Sequence, residues 1–196
     1  MAGCAGPLVK MPQPLPAAVK EYRSVVVNAA HGGSPLSTGM VITKGDLFTI
    51  LADGEIGGPG TQQRYRGPVA RLTYQIGAQG QQSTWWGDRK SIADESGELR
   101  LGLVRRGTGT TAPEAGAFVV DIIVWADNDP VRQADFLDEL RRRDPANAQL
   151  GVVADGFLKE KELWVAERRA SREVEESAKA IAALAQTAEY GTLPNK

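Results

Sequence analysis

Arg105 and Arg106 stand side by side in a loop that also carries Thr108, Thr110, Thr111 and Glu114. Two guanidinium groups beside hydroxyls can grip a carboxylate, a phosphate or an acidic sugar through charge-assisted hydrogen bonds. A second polar stretch holds Glu55, Tyr65 and Arg66, and either Tyr65 or Trp85 offers a ring for stacking. The same residues also fit a solvated loop in which Arg105 or Arg106 pairs with Glu114. Catalytic chemistry finds less to work with. Ser34, Ser37 and Ser83 have no histidine but His31, which sits in a Gly/Ser/Pro turn. Ile56-Gly57-Gly58-Pro59-Gly60 precedes no helical pattern and lacks the lysine of a phosphate-binding loop. Asp53 and Glu55 border a loop, where acidic residues are ordinary, and do not by themselves make a glycosidase pair. No residue is assigned a catalytic role, and the chain reads as a non-enzyme.

The 196 residues hold one cysteine and one histidine, which excludes disulfide frameworks and cysteine-rich zinc sites. A net charge of −1 with both signs mixed argues against nucleic acid or a polybasic membrane surface as the main partner. No apolar run approaches the roughly 20 residues of a membrane span. The single cysteine lies in Met1-Ala2-Gly3-Cys4, followed by Ala5 and Gly6. That stretch is similar to the end of a bacterial lipoprotein signal, in which the cysteine carries the lipid. On this reading the protein is extracytoplasmic and periplasmic, touching the membrane only by a lipid anchor at Cys4. The other reading is an exposed thiol at a frayed terminus of a cytoplasmic protein.

The elements that must position these groups are mostly strands. Pro7, Pro12, Pro14 and Pro16 make residues 1–22 an extended arm. A β-region follows over 23–126. Arg23–Val27 is a short strand, and Thr38–Thr43 and Leu47–Ala52 read as a hairpin about a Lys44-Gly45-Asp46 turn. A Gly-rich loop is expected from Asp53 to Pro68, then a strand over Arg71–Ile76. Trp85 and Trp86 are adjacent, so one faces the core and the other solvent. Leu99, Leu101 and Leu103 alternate with Glu98, Arg100 and Gly102 as in a half-buried strand. Gly116 to Trp125 is almost continuously apolar and reads as a central strand buried on its inner face.

Residues 127–196 change to a helical pattern. Asp129-Pro130 is a start signal with Phe136, Leu137 and Leu140 on one face, and Asp144-Pro145 repeats it before Leu150, Val153, Phe157 and Leu158. From Lys159 to about Ala188 no proline or glycine interrupts a stripe of Leu163, Ala166, Ala170, Val174, Ser177, Ile181, Leu184 and Ala188. Such a helix is about 45 Å long, more than a sandwich can cover along one side. It predicts a partner chain or a self-associated bundle, or else a helical hairpin returning to the sheet.

From Val25 to Trp125 the order of these signals resembles the galactose-binding lectin family of the Pseudomonas PA-I lectin type. The match is carried by Thr38-Gly39-Met40-Val41, Lys44-Gly45-Asp46, Leu47 to Gly54, Leu72 to Gly77, Gly97 to Leu103 and Ala115 to Ile122. The resemblance implies a mainly β fold, a jelly-roll-type β-sandwich followed here by a C-terminal helical extension. In that family the sugar is held through calcium, with ligands from an Asn-Asp ending one strand and an Asn-Asn-Ser-Gly opening the last. The corresponding positions here look like Arg105-Arg106 and Pro113-Glu114-Ala115-Gly116. Calcium takes six to eight oxygens, and these replacements remove oxygens and add positive charge. The resemblance therefore supports the fold and not calcium-dependent galactose binding. No metal or other cofactor is expected. Arg105, Arg106, Thr110, Glu114, Tyr65 and Trp85 remain as candidate ligand-binding residues.

Two functions fit. One is a non-catalytic adaptor, tethered at a membrane surface and docking on protein subunits through its sandwich loops and long helix. The other is a glycan-binding module that works without calcium.

Overall fold

The computed structural model describes residues 6–31, 34–58, 66–69, 71–87, 90–104 and 114–190. The strands are β1 (Val19–Asn28), β2 (Leu36–Ile42), β3 (Leu47–Gly57), β4 (Leu72–Ile76), β5 (Ser83–Thr84), β6 (Lys90–Ile92), β7 (Gly97–Leu103) and β8 (Ala115–Trp125). Two helices follow, α1 (Pro130–Arg143) and α2 (Ala148–Tyr190). The strands form two four-stranded sheets, ordered β1-β8-β3-β6 and β2-β7-β4-β5, with antiparallel pairing throughout. The fold is thus a mainly β sandwich with a helical C-terminal part, as the sequence predicts.

The sandwich interior is filled from both sheets. Met40 and Ile42 of β2, Leu72 and Ile76 of β4, and Leu99 and Leu101 of β7 meet Phe48 and Ile50 of β3 and Phe118, Val120 and Ile122 of β8. β2 reads as alternating because one face is buried and the next residue points away, whereas Leu47–Ala52 of β3 are buried without a break. The expected β2–β3 hairpin is wrong. Met40 and Phe48 both point into this interior, but from opposite sheets, so Lys44-Gly45-Asp46 carries the chain across the sandwich rather than back along it. Asp46 closes that crossing by accepting from the Thr43 amide at 2.9 Å and pairing with Lys20 at 2.7 Å.

β8 is buried on both faces, not on one. Val119, Asp121, Ile123 and Trp125 alternate with the interior set and are themselves 0–7% exposed. Their cover is a second core made by the N-terminal arm, α1 and the first turns of α2. Two covered faces account for a nearly continuous apolar run in an antiparallel sheet. Residues 6–18 are therefore a packed segment rather than a free linker, with Val9 only 1% exposed.

α1 starts where the sequence signals it. The Asp129 carboxylate accepts from the Val131 and Arg132 amides at 3.0 and 3.2 Å, with Pro130 in the first turn. Arg141, in its last turn, bridges to Asp155 of α2 at 2.6 Å. The second start lies elsewhere than expected. Asp144 ends α1, and it is Asn147 whose side chain accepts from Leu150 N at 3.0 Å to cap α2. Leu150, Val153 and Phe157 then face the sheet, 1–3% exposed.

The chain divides into two compact units, 1–158 and 159–196. The helical part expected from residue 127 begins with α1 at Pro130, and α1 and the start of α2 supply one wall of the second core. Among the described residues no helix is long and apolar enough to cross a membrane.

Candidate functional site

The end of the sandwich where β3 and β8 finish carries the loops singled out above. β3 runs on to Gly57, so the Gly-rich loop begins five residues or so later than the Asp53 expected from the sequence. Glu55, Ile56 and Gly57 pair with Ala117, Gly116 and Ala115. Two glycines make this close pairing possible. A Cβ on Gly54 (φ +116°) would sit 2.3 Å from the Ala117 carbonyl oxygen, and one on Gly116 (φ +104°) 2.1 Å from that of Glu55. Only glycine adopts these conformations without strain and leaves that space.

Beneath the rim lies Arg71, a residue for which the sequence suggests nothing beyond a strand start. Its side chain is 1% exposed. One guanidinium nitrogen donates to the Ile56 carbonyl at 2.7 Å, and the other meets Glu114 Oε2 at 2.8 Å. Its own carbonyl accepts from Val104 N at 2.7 Å. Arg71 thus ties together the ends of β3, β7 and β8. Glu114, a candidate ligand, spends its carboxylate on this pair and is 23% exposed. A dication sharing Glu114 would sit beside a buried guanidinium, an unfavourable pairing of like charges.

An open concavity of about 440 Å³ lies beside this pair, lined by Glu55, Gly57, Gly58, Arg66, Ala115 and Gly116. The structure therefore brings Glu55 and Arg66 to the same end as Glu114. Arg105, Arg106, Thr108, Thr110, Thr111, Tyr65 and Cys4 lie outside the described residues.

Trp85 is placed differently from the role expected of it. It fills the lateral edge of the sandwich, 4% exposed, and donates Nε1 to the Ile50 carbonyl at 3.0 Å. Trp86 is the solvent-facing member of the pair at 66%. Around them is a cavity of about 100 Å³, lined also by Ile50, Tyr74, Thr84, Gly87 and Ser91. An exposed indole with hydroxyls at its edge and no charged lining residue is a shape for a neutral ring. His31, by contrast, is a turn residue, its Nδ1 accepting from the Asn28 amide at 3.1 Å.

No protein family and no curated protein matches this chain by sequence. Among solved structures it is similar to the EclA N-terminal domain, a PllA-like lectin. The identity is 21% and the TM-score 0.37, over 52% of this chain and 95% of that one.

The second unit offers a different surface. Leu163, Val174, Ile181 and Leu184 of α2 are 67–70% exposed. At 100° per residue they fall within an arc of about 80°, with Ala170 and Ser177 between them and Arg172 and Lys179 on the far side. Polar support is local, from Lys179–Glu175 at 2.6 Å and from Arg168 set 4.3 Å over the Trp164 ring.

Proposed function

We propose that the protein is a non-catalytic adaptor: a lectin-like sandwich held at a membrane surface by lipid on Cys4, which docks on partner protein through the exposed face of α2. The observation that carries this reading is that face. Four large apolar side chains about two-thirds exposed on one side of a helix are an unmet burial. Covering each is worth about 1 to 2 kcal/mol. The Ala2-Gly3-Cys4 stretch supports the tether, and the neutralised Arg71–Glu114 pair supports a rim without metal. The partner is another subunit or a second copy of this chain.

The test is the mass of the full chain by light scattering, alone and with candidate membrane-complex subunits, against the Ile181→Glu/Leu184→Lys variant. Association that the double substitution abolishes, with the circular dichroism of the sandwich unchanged, is the expected result. Association that survives it would show that the helix face is not the docking surface.

A second reading, a calcium-independent glycan-binding module, is favoured by Trp86 and its hydroxyl-lined cavity. It predicts glycan-array binding that a chelator leaves intact and that Trp86→Ala reduces at least tenfold, about 1.4 kcal/mol. Binding lost to chelator would sink it.

A further inference from the structure

Asp121 lies in the middle of β8 with 0% exposure. Its Oδ2 accepts from Val9 N at 2.6 Å and lies 2.8 Å from the Tyr22 hydroxyl; Oδ1 has no partner in hydrogen-bonding geometry. Tyr22 Oη is also 3.0 Å from the Val9 carbonyl oxygen. A phenol has one proton and cannot donate to both oxygens. If Asp121 is ionised, Tyr22 must donate to it, and its approach to the Val9 carbonyl brings two acceptors together. If Asp121 carries a proton, it donates to Tyr22 Oη while Tyr22 donates to Val9 O, and both contacts are hydrogen bonds.

Hydrogen bonds, and no cation, are what the surroundings offer an Asp121 charge. Ser24 and Tyr22 face Asp121 from β1, Leu51 pairs with it from β3, and the backbone of Leu8 and Val9 covers it from the arm. The covering elements carry the charged groups Lys10, Arg143 and Asp144 close to Leu8 and Val9. They line a cavity of about 170 Å³ beside Leu8 and make no hydrogen bond to Asp121. Burial pushes the Asp121 carboxyl up from its ordinary value, and the bonds from Ser24, Tyr22, Val9 and Leu8 only partly offset it. Burial, and then the Asp121 charge, likewise push the Tyr22 phenol up.

We infer that Asp121, Tyr22 and Val9 form a proton-gated latch, in which a neutral Asp121 holds the arm against the sheet and loss of its proton to solvent frees the arm. The arm is the part that moves, because residues 6–18 contain no helix or strand and Val9 within them bonds Asp121 directly. Another fastening, Asn147 Nδ2 to the Leu8 carbonyl at 2.6 Å, does not titrate. The sign follows from the raised value: the native state holds the proton more tightly than the unfolded chain, so this contribution is full at low pH and is lost as pH rises through the native Asp121 value.

The experiment is amide exchange at Val9, corrected for its intrinsic pH dependence, on the full chain from about pH 4 to about pH 9. Protection is expected to hold at low pH and then fall by about tenfold per pH unit, the slope of a one-proton opening. Asp121→Asn mimics the neutral acid and should keep the Val9 amide protected across the range. Infrared spectra supply a second measurement, a protonated-carboxyl band at neutral pH that the variant lacks. A flat wild-type profile, a variant that follows the wild type, or no such band would overturn the latch.

Discussion

Replacing Trp125 by alanine is expected to remove about 4 kcal/mol of unfolding free energy, the scale of a large aromatic deleted from a closed core. Trp125 ends β8 on its outer face at 2% exposure. Its ring meets Phe136 of α1 at 6.3 Å and Phe157 of α2 at 5.3 Å, and its Nε1 donates to Thr49 Oγ1 at 2.9 Å. One side chain therefore joins the sheet to both helices, and its loss leaves a cavity and an orphaned buried hydroxyl together. Trp125→Phe separates these effects. It keeps most of the packing and should cost about 1 to 2 kcal/mol, mainly for the Thr49 bond. Urea unfolding followed by circular dichroism measures both. A loss below about 1 kcal/mol for the alanine variant would mean the helices do not depend on this contact.

Arg71→Met is the second large effect, expected at about 3 kcal/mol. It leaves the Glu114 carboxylate without its guanidinium and the Ile56 carbonyl without a donor. Glu114→Gln should cost less, about 1 to 2 kcal/mol, because the Ile56 bond survives and the partly exposed partner can hydrate. The two substitutions share one interaction, so the double variant should be less damaged than their sum by at least about 0.5 kcal/mol. Strict additivity in that cycle would show that the pair does not hold the rim together.

The strands were legible because alternation is a local consequence of one buried face, and Leu99, Leu101 and Leu103 all proved internal. Sheet membership was not, since Met40 and Phe48 read alike whether their strands pair or face each other across a core. The double burial of β8 was visible only as an unusually continuous apolar run; its cause, the arm and helices, lies far away in sequence. Asp121 illustrates the same limit. An acid inside Phe118–Trp125 is plain to see, but its partners Val9 and Tyr22 stand 112 and 99 residues away. At the rim, Glu55 and Arg66 come together as their loop positions suggested, whereas Arg71 looked like any residue ahead of a strand. The tryptophan pair split as adjacency requires, with the exposed ring on Trp86 rather than on Trp85.

On the proposed function, the apolar face of α2 meets another protein. The most direct measurement places a photocrosslinking side chain at Val174 or Ile181, and in parallel at Arg172 or Lys179, in cells making the full chain. A discrete protein adduct is expected from the first pair of positions and none from the second. No adduct from Val174 and Ile181, or equal adducts from all four positions, would contradict it.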